Sequence, residues 1–372
     1  MPRSKMAPVP MQWKPSPVTS MARLSGSVLV PCKHHTTPHQ TDLLASEYLL
    51  GAGCRKRQFA CAWSFLNGSS SPIQPSSWLF HCLAIMRIPG SLRIRILTKN
   101  VRYATRSPGQ GEEPWHIRLP HLVSELRFST SYCREALICL QEVLYEQLQD
   151  ILQALNENDD WNFIGVGRDD GYKAGEFSPI LYRRSAWEPE RIETLWLSET
   201  PSKPSRGWDA ACNRVLTIAI LNHRDSRQRI LALNTHLDHK GHIARQQSAK
   251  IILQQIEKHG WLGSEERLPT VLAGDFNSEP DHEAYLAITG ITSPMRDLRN
   301  LVPIARRYGD MNTFSGFDDV SRRKRIDFLF VDQGTYGRRS WLASGYTVLP
   351  NRFEDRVYNS DHQAVVGDIE LA

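Results

Sequence analysis

The sequence predicts a layered α/β sandwich: two mixed β-sheets packed face to face with helices outside. Three observations predict it. Roughly ten short apolar or alternating runs read as strands, against four stretches with apolar residues at helical spacing. Several of the strand runs follow one another with few helices between them, as mixed sheets require. Polar residues suited to chemistry recur at the strand ends, where open α/β sheets keep their sites.

The chain has 372 residues, 41% hydrophobic and 23% charged, enough for a substantial core. Its net charge of +5 is unevenly placed. Residues 1–90 hold nine Lys or Arg against Asp42 and Glu47, so subtracting their +7 leaves −2 downstream. The regular region therefore lacks the basic bias of a protein that grips long nucleic acid electrostatically. No apolar run reaches the ~18 residues that would suggest a transmembrane segment. Seven cysteines, without a C-x-x-C pair, argue against a disulfide framework or a zinc site. They suit a reducing compartment, so an intracellular, cytoplasmic location is expected.

Residues 1–87 read as an irregular, disordered N-terminal extension, rich in Pro and Ser and without apolar periodicity. Its basic character allows organellar targeting, but no amphipathic helix supports it. Met86 precedes the first clear strand, so the extension is expected to be dispensable. Residues 88–372 form the expected domain.

Leu92 to Leu97 alternates as a strand does and delivers Asn100 at its end. Leu119, Leu122, Val123 and Leu126 then form one helix face. Ala136 to Leu140 is a buried strand ending in Gln141-Glu142, followed by a helix with Leu148, Ile151, Leu152 and Leu155 on one stripe. Strands are read at 161–166, 178–183, 191–197, 214–222 and 229–235, and a helix at 242–259 that stops at Gly260. Further strands are read at 270–274, 326–331, 345–349 and 364–370, with a fourth helix after Asp281.

The polar strand ends gather a constellation. Asn100 and Glu142 close two strands, and Asn234-Thr235-His236 closes a third. Gly274-Asp275-Phe276-Asn277 closes a fourth, Asp327 interrupts an apolar strand, and Ser360-Asp361-His362 precedes the last. Singly, each has a structural explanation, such as capping a helix or holding a neighbour. Six at corresponding strand ends point to a shared site. Carboxylates and amides without cysteine suit a hard cation, Mg²⁺ or Mn²⁺. Glu142 suffices as carboxylate ligand, with help from Asn100 or Asp361. A histidine beside an acid can take a proton from water, and Asn277 can orient that water. The chemistry indicated is metal-assisted hydrolysis of a phosphate ester. Asp275 and His362, at strand ends, are expected to reach solvent and to cost little stability when replaced.

This ordered set resembles the endonuclease/exonuclease/phosphatase superfamily, deoxyribonuclease I-like, over residues 92 to 371. The resemblance implies a four-layer α/β sandwich and a divalent metal, normally magnesium. It implies Glu142 as metal carboxylate, with Asn100 and Asp361 beside it. It implies His362 as base or phosphate-polarising group, oriented by Asp327. Asp275 and Asn277 would position water and phosphate, and His236 would be a second active-site histidine. Ser278 and the Arg323-to-Asp327 segment depart from the inositol-phosphatase pattern, and Ser278-Glu279-Pro280 departs from that of abasic endonucleases. Gly167 to Gly171, Gly175 to Ile180 and Trp196 to Pro201 are similar to a poorly characterised bacterial and fungal branch grouped loosely with deadenylase-like exonucleases.

Two cations are candidates for substrate phosphate: Arg214 at a strand start, and Arg325 in the run Arg322-Arg323-Lys324-Arg325. A solvated loop is the plain alternative for that run. Trp196 and Trp208 either stack a base or pack. The expected activity is Mg²⁺-dependent phosphodiester hydrolysis, exonuclease-like, on RNA or single-stranded nucleic acid. A sugar- or lipid-phosphate substrate is the alternative, and a non-catalytic binding module a third reading. No obligate protein partner is evident.

Overall fold

The computed structural model describes residues 91–157, 159–262, 266–333 and 341–371. The extension expected at 1–87 lies outside the described residues. Strand β1 (Leu92–Asn100) leads to helix α1 (Trp115–Thr130), and β2 (Leu137–Gln141) to α2 (Tyr145–Leu155). Then β3 (Trp161–Ile164), β4 (Ile180–Arg183), β5 (Trp187–Trp196), β6 (Val215–His223) and β7 (Arg229–His236) follow without a helix among the described residues. Next come α3 (His242–His259), the hairpin pair β8 (Trp261–Leu262) and β9 (Glu266–Arg267), β10 (Thr270–Asp275) and α4 (Glu283–Thr289). The chain ends through β11 (Met295–Asp297), α5 (Leu298–Leu301), β12 (Arg307–Gly309), β13 (Asp327–Asp332), β14 (Trp341–Val348) and β15 (Val365–Leu371).

Two mixed sheets result. A seven-stranded sheet has the order β12-β14-β15-β1-β2-β4-β3, and a six-stranded one the order β11-β13-β10-β7-β6-β5. The pairs β1–β2, β7–β10 and β12–β14 are parallel, and the other pairs are antiparallel. Side chains alternate across each strand, so both faces of a central strand need cover. Ile94 and Ile96 of β1, Cys139 of β2, Ala232 of β7, Val271 of β10 and Leu329 of β13 meet in the layer between the sheets. The opposite parity faces outward. Ile138 and Leu140 pack under Leu122, Leu126 and Leu148 of α1 and α2. Leu233, Leu272 and Phe330 pack under Ile252 and Ile256 of α3 and Ile288 of α4. The four layers are thus helices, sheet, sheet, helices.

The inter-sheet parity also places the polar residues. Continuing β1 by twos from Ile96 gives Thr98 and Asn100, and β2 gives Gln141 after Cys139. Asn234 and His236 follow Ala232, Asp275 follows Ala273, and Asp327 stands two residues before Leu329. The face that is apolar through the middle of the sandwich therefore turns polar at one end. Register fixes the alignment, because Asn100 pairs with Gln141, and Asp275 lies between His236 and Asp327. Gly274 makes that end possible. Its φ is +156°, and an added Cβ would stand 2.3 Å from the Thr235 carbonyl oxygen. Only glycine tolerates such an approach.

The structure adds β8, β9, β11, β12 and α5 to the elements read from the sequence. Each is two to four residues long. That is too short to show a period of either kind.

Candidate active site

The polar strand ends surround one hollow of about 900 Å³, whose walls include Glu142, His236, Asp275, Asn277, Asp361 and His362. Two left-handed residues turn the backbone at its rim. Glu142 (φ +57°) directly follows β2, and Asn277 (φ +45°) stands two residues past the end of β10. Such conformations cost about 1–3 kcal/mol each and persist where the surroundings hold them.

At the floor, His362 Nδ1 and Asp327 Oδ2 share a hydrogen bond of 2.8 Å, and His362 Nε2 lies 3.7 Å from Asp275 Oδ2. Burial alone would lower the imidazole's pKa, but Asp327 and Asp275 outweigh it and raise His362 to about 10. His236 behaves oppositely. Burial, and then Arg214, push it well below the usual range. Asn277 Nδ2 donates to the Leu237 carbonyl (3.0 Å), which fixes its orientation and places the same nitrogen 3.0 Å from His236 Nε2. His236 Nε2 must therefore accept, and its single proton sits on Nδ1. One charged and one neutral histidine thus flank Asp275, which burial and the neighbouring Asp327 raise to about 7. Environments that push titrating groups apart in this way are characteristic of acid–base sites.

Asn100 ties the two sheets together. Its Nδ2 donates to Glu142 Oε1 (3.1 Å) and to Asp275 Oδ2 (3.0 Å), while its Oδ1 accepts from the Arg102 backbone (2.9 Å). The amide thus orients two carboxylates, and Oδ1 keeps a second lone pair beyond the one that accepts from the backbone. Behind the site, buried Lys99 donates to the His362 carbonyl and to Asn359 Oδ1, both at 2.9 Å, and so fixes the segment that carries Asp361 and His362.

A divalent cation fits the carboxylates on the wall. Burial acts upward on Glu142, but Asn100, His362 and Arg102 hold it below its ordinary value, so it is an anion. Burial and the Glu142 charge together push Asp361 up. These carboxylates repel each other across a wall of oxygen donors, and a hard cation relieves that repulsion. Asp275, Asp327 and His362 also bring ligand atoms within 4.8 Å of one another. There, however, the 2.8 Å bond already occupies His362 Nδ1 and Asp327 Oδ2. Glu142 and Asp361, outside that bond, offer oxygen donors of the kind such a cation takes.

Arg214 and Arg325 part company. Arg214 lines the hollow and is held by Asp238 (3.3 Å) and His239 (3.0 Å), with one guanidinium nitrogen, Nη1, buried and unpartnered. Arg325 does not line it. It is buried, bonds Asp297 at 2.5 Å and stacks on Phe328, so its expected contact with substrate is corrected to a structural one. Its neighbours Arg322, at the end of a 3₁₀ turn, and Lys324 face the hollow instead. Trp196 is buried and donates to the Arg168 carbonyl, and neither it nor Trp208 lines the hollow. The solvent-reaching positions expected for Asp275 and His362 are also corrected. They are only 1% and 4% exposed, because the second sheet covers the strand ends.

Sequence reasoning assigned no role to Arg168, Glu176, Arg102 or His239, all of which line the hollow. Glu176 sits between Arg168 Nη1 (2.5 Å) and His236 Nδ1 (3.9 Å), and burial, then Glu142, raise it to about 7. The available signal was the pair of glycine-bounded segments around Arg168 and Glu176. Gly167 and Gly175 allow that loop to fold tightly on itself, since a Cβ on Gly167 would stand 2.4 Å from the Ala174 carbonyl.

Fold and hollow together define a phosphoric ester hydrolase. The pattern of the endonuclease/exonuclease/phosphatase family matches residues 97–362, and the chain belongs to that family. It is similar to a member from Bacteroides vulgatus, with 33% identity over 76% of this chain and 100% of that one, at a TM-score of 0.65. A family member from Bacteroides thetaiotaomicron is 29% identical over 76% of this chain and 96% of that one, at a TM-score of 0.66. A mannosyl-6-phosphatase from the same organism is 30% identical over 75% of this chain and 99% of that one, at a TM-score of 0.64. No curated protein matches the chain.

Proposed function

We propose that this protein is a divalent-metal-dependent phosphatase acting on a small phosphate monoester, in the first place a sugar phosphate. The observation that carries this reading is the size and charge balance of the hollow. At about 900 Å³ it has the volume of a small-molecule site. Six cations (Arg102, Arg168, Arg214, Arg322, Lys324 and the protonated His362) face four carboxylates (Glu142, Glu176, Asp275 and Asp361), which suits a compact dianion beside a metal. The charge of −2 on residues 91–372 disfavours a long polyanion. The similarity to the mannosyl-6-phosphatase supports the same choice.

In this reading Glu142 and Asp361 hold the cation, whose chemistry is to offset charge on the phosphoryl group and the leaving oxygen. The chain's own residues supply the rest. Asp275 Oδ2, common neighbour of Asn100, His236 and His362, takes a proton from the attacking water. Asn277 Oδ1 accepts the water's other hydrogen, its amide hydrogens being fixed by Leu237 and His236. His362, kept protonated by Asp327, donates to a phosphoryl oxygen and stabilises the charge that develops there. Arg214, which lines the hollow, meets a second such oxygen.

A nucleic-acid phosphodiester is the second reading, favoured by the exposure of Arg322 and Lys324 at the mouth. The two are separated by a panel of mannose 6-phosphate, glucose 6-phosphate, bis-p-nitrophenyl phosphate and a single-stranded oligonucleotide, each with Mg²⁺ or Mn²⁺. The phosphatase reading expects phosphate release from a monoester to dominate. Shortening of the oligonucleotide with no turnover of any monoester would replace it with the phosphodiesterase reading.

A further inference from the structure

We infer that a second cleft beside the hollow is a carbohydrate subsite, so that the substrate is a phosphorylated oligosaccharide rather than a free monosaccharide phosphate. The inference rests on the phosphatase reading and extends it from the phosphoryl group to what carries it. The cleft measures about 820 Å³, and Arg102, Phe314, Arg322 and Asp361 line both spaces, so the two form one trough.

The chemistry of the second cleft differs from that of the first. Phe317 and Tyr358 meet edge to face with centroids 6.2 Å apart and interplanar angle 87°. Phe314 stands where the two spaces join, its ring against the His362 imidazole at 4.9 Å. Tyr358 is buried beneath Phe317 and Arg352, so Phe317 is the ring that offers an apolar platform for the C–H face of a pyranose. Phe317 is held at φ +56°, a conformation that bulky residues avoid. Gly111 permits it, because a Cβ there would lie 3.0 Å from the Phe317 carbonyl oxygen and 3.2 Å from its Cβ.

Charges of both signs line the same cleft. Arg352 and Arg356 come from the turn that closes with Phe353 N–H donating to the Val357 carbonyl (3.0 Å), while Glu113 and Asp319 face them from other loops. Glu112 is already committed to Arg102 and to the Gly109 backbone. Planar donors and acceptors in one cleft match vicinal hydroxyls, which both donate and accept. A phosphodiester backbone would instead meet Glu113 and Asp319 as like charges. The mixture therefore favours a neutral sugar over a nucleotide chain. A sugar whose phosphate sits beside Asp361 has its next residue in this cleft.

The test compares kcat/KM for mannose 6-phosphate with that for a mannose disaccharide carrying the phosphate on its terminal sugar. The wild type, Phe317→Ala and Arg356→Ala are measured, each checked for its melting temperature. The disaccharide should be preferred at least ten-fold by the wild type, and that ratio should collapse towards one in both folded variants. A wild-type ratio near one, or a preference kept in both variants, overturns the subsite and leaves the phosphatase reading standing. Preference for a 5′-phosphorylated oligonucleotide overturns the carbohydrate assignment. If neither sugar phosphate is turned over while the metal is present, the phosphatase reading itself falls and the subsite with it.

Discussion

Replacing Asp327 by Asn tests the site at its best-defined contact. The carboxylate is fully buried, with Oδ2 2.8 Å from His362 Nδ1 and Oδ1 without any hydrogen-bond partner. Two opposite charges about 3 Å apart attract by roughly 5 kcal/mol at an effective dielectric of about 20, before desolvation is counted. Breaking a buried pair by removing one partner commonly costs about 3–5 kcal/mol of stability. Asn keeps the shape and an acceptor, and it ends the repulsion between Asp327 and Asp275. The loss of stability should therefore be smaller, about 1–3 kcal/mol. Activity should suffer more. With His362 no longer held protonated and oriented, kcat should fall by roughly 10²–10⁴, the scale of a positioned acid–base group. His362→Ala alone should cost a similar factor, and the double variant should be little worse than the poorer single one, because the two act as a unit. The assay is steady-state phosphate release at saturating substrate beside urea unfolding midpoints for the four proteins. A folded Asp327→Asn variant within three-fold of wild-type kcat, or losses that multiply in the double variant, would refute the reasoning.

Other consequences can be measured independently. Chelation should abolish turnover and Mg²⁺ or Mn²⁺ restore it, with Glu142→Gln needing more metal for half-activation; full activity in excess chelator would contradict the Glu142 and Asp361 assignment. Burial raises Asp332, at the far end of β13, to about 6. An acid raised in the folded state is favoured when protonated, so stability from this group falls as pH rises between its unfolded value and about 6. Asp332→Asn should accordingly stabilise the fold at pH 8 by up to about 3 kcal/mol, read as a higher melting temperature, and change it little at pH 4. Gly274→Ala should lower both stability and kcat, since the new methyl meets the Thr235 carbonyl; an unaltered melting curve would show that the strand end has room. A chain starting at Met86 should keep wild-type melting and turnover if residues 1–87 stand outside the domain.

How much of this was legible in sequence follows from the period of each segment. Strands such as β10 and β13 are buried on both faces, so their apolar runs were visible, and the polar residue ending or opening each run marked the site. The parity that carries Ile94, Ile96, Thr98 and Asn100 along one face was readable for the same reason. The short strands β11 and β12 carried no such signal. Partners set by tertiary contact were also hidden. Nothing local distinguishes Arg325, bound to Asp297, from Arg322 and Lys324, which face the hollow. The burial of Asp275 and His362 likewise depends on the opposing sheet, which no local window contains. Glu176 was quoted within a motif but could not be paired with His236 until the loop between Gly167 and Gly175 was folded.

The central claim is that this hollow hydrolyses a phosphate monoester through Asp275. The most direct measurement is phosphate release from mannose 6-phosphate at saturating Mg²⁺ by the wild type and by Asp275→Asn, each confirmed folded. The account predicts steady release by the wild type and a loss in the variant of about 10²-fold or more. No release by the wild type, or undiminished release by the folded variant, would contradict it.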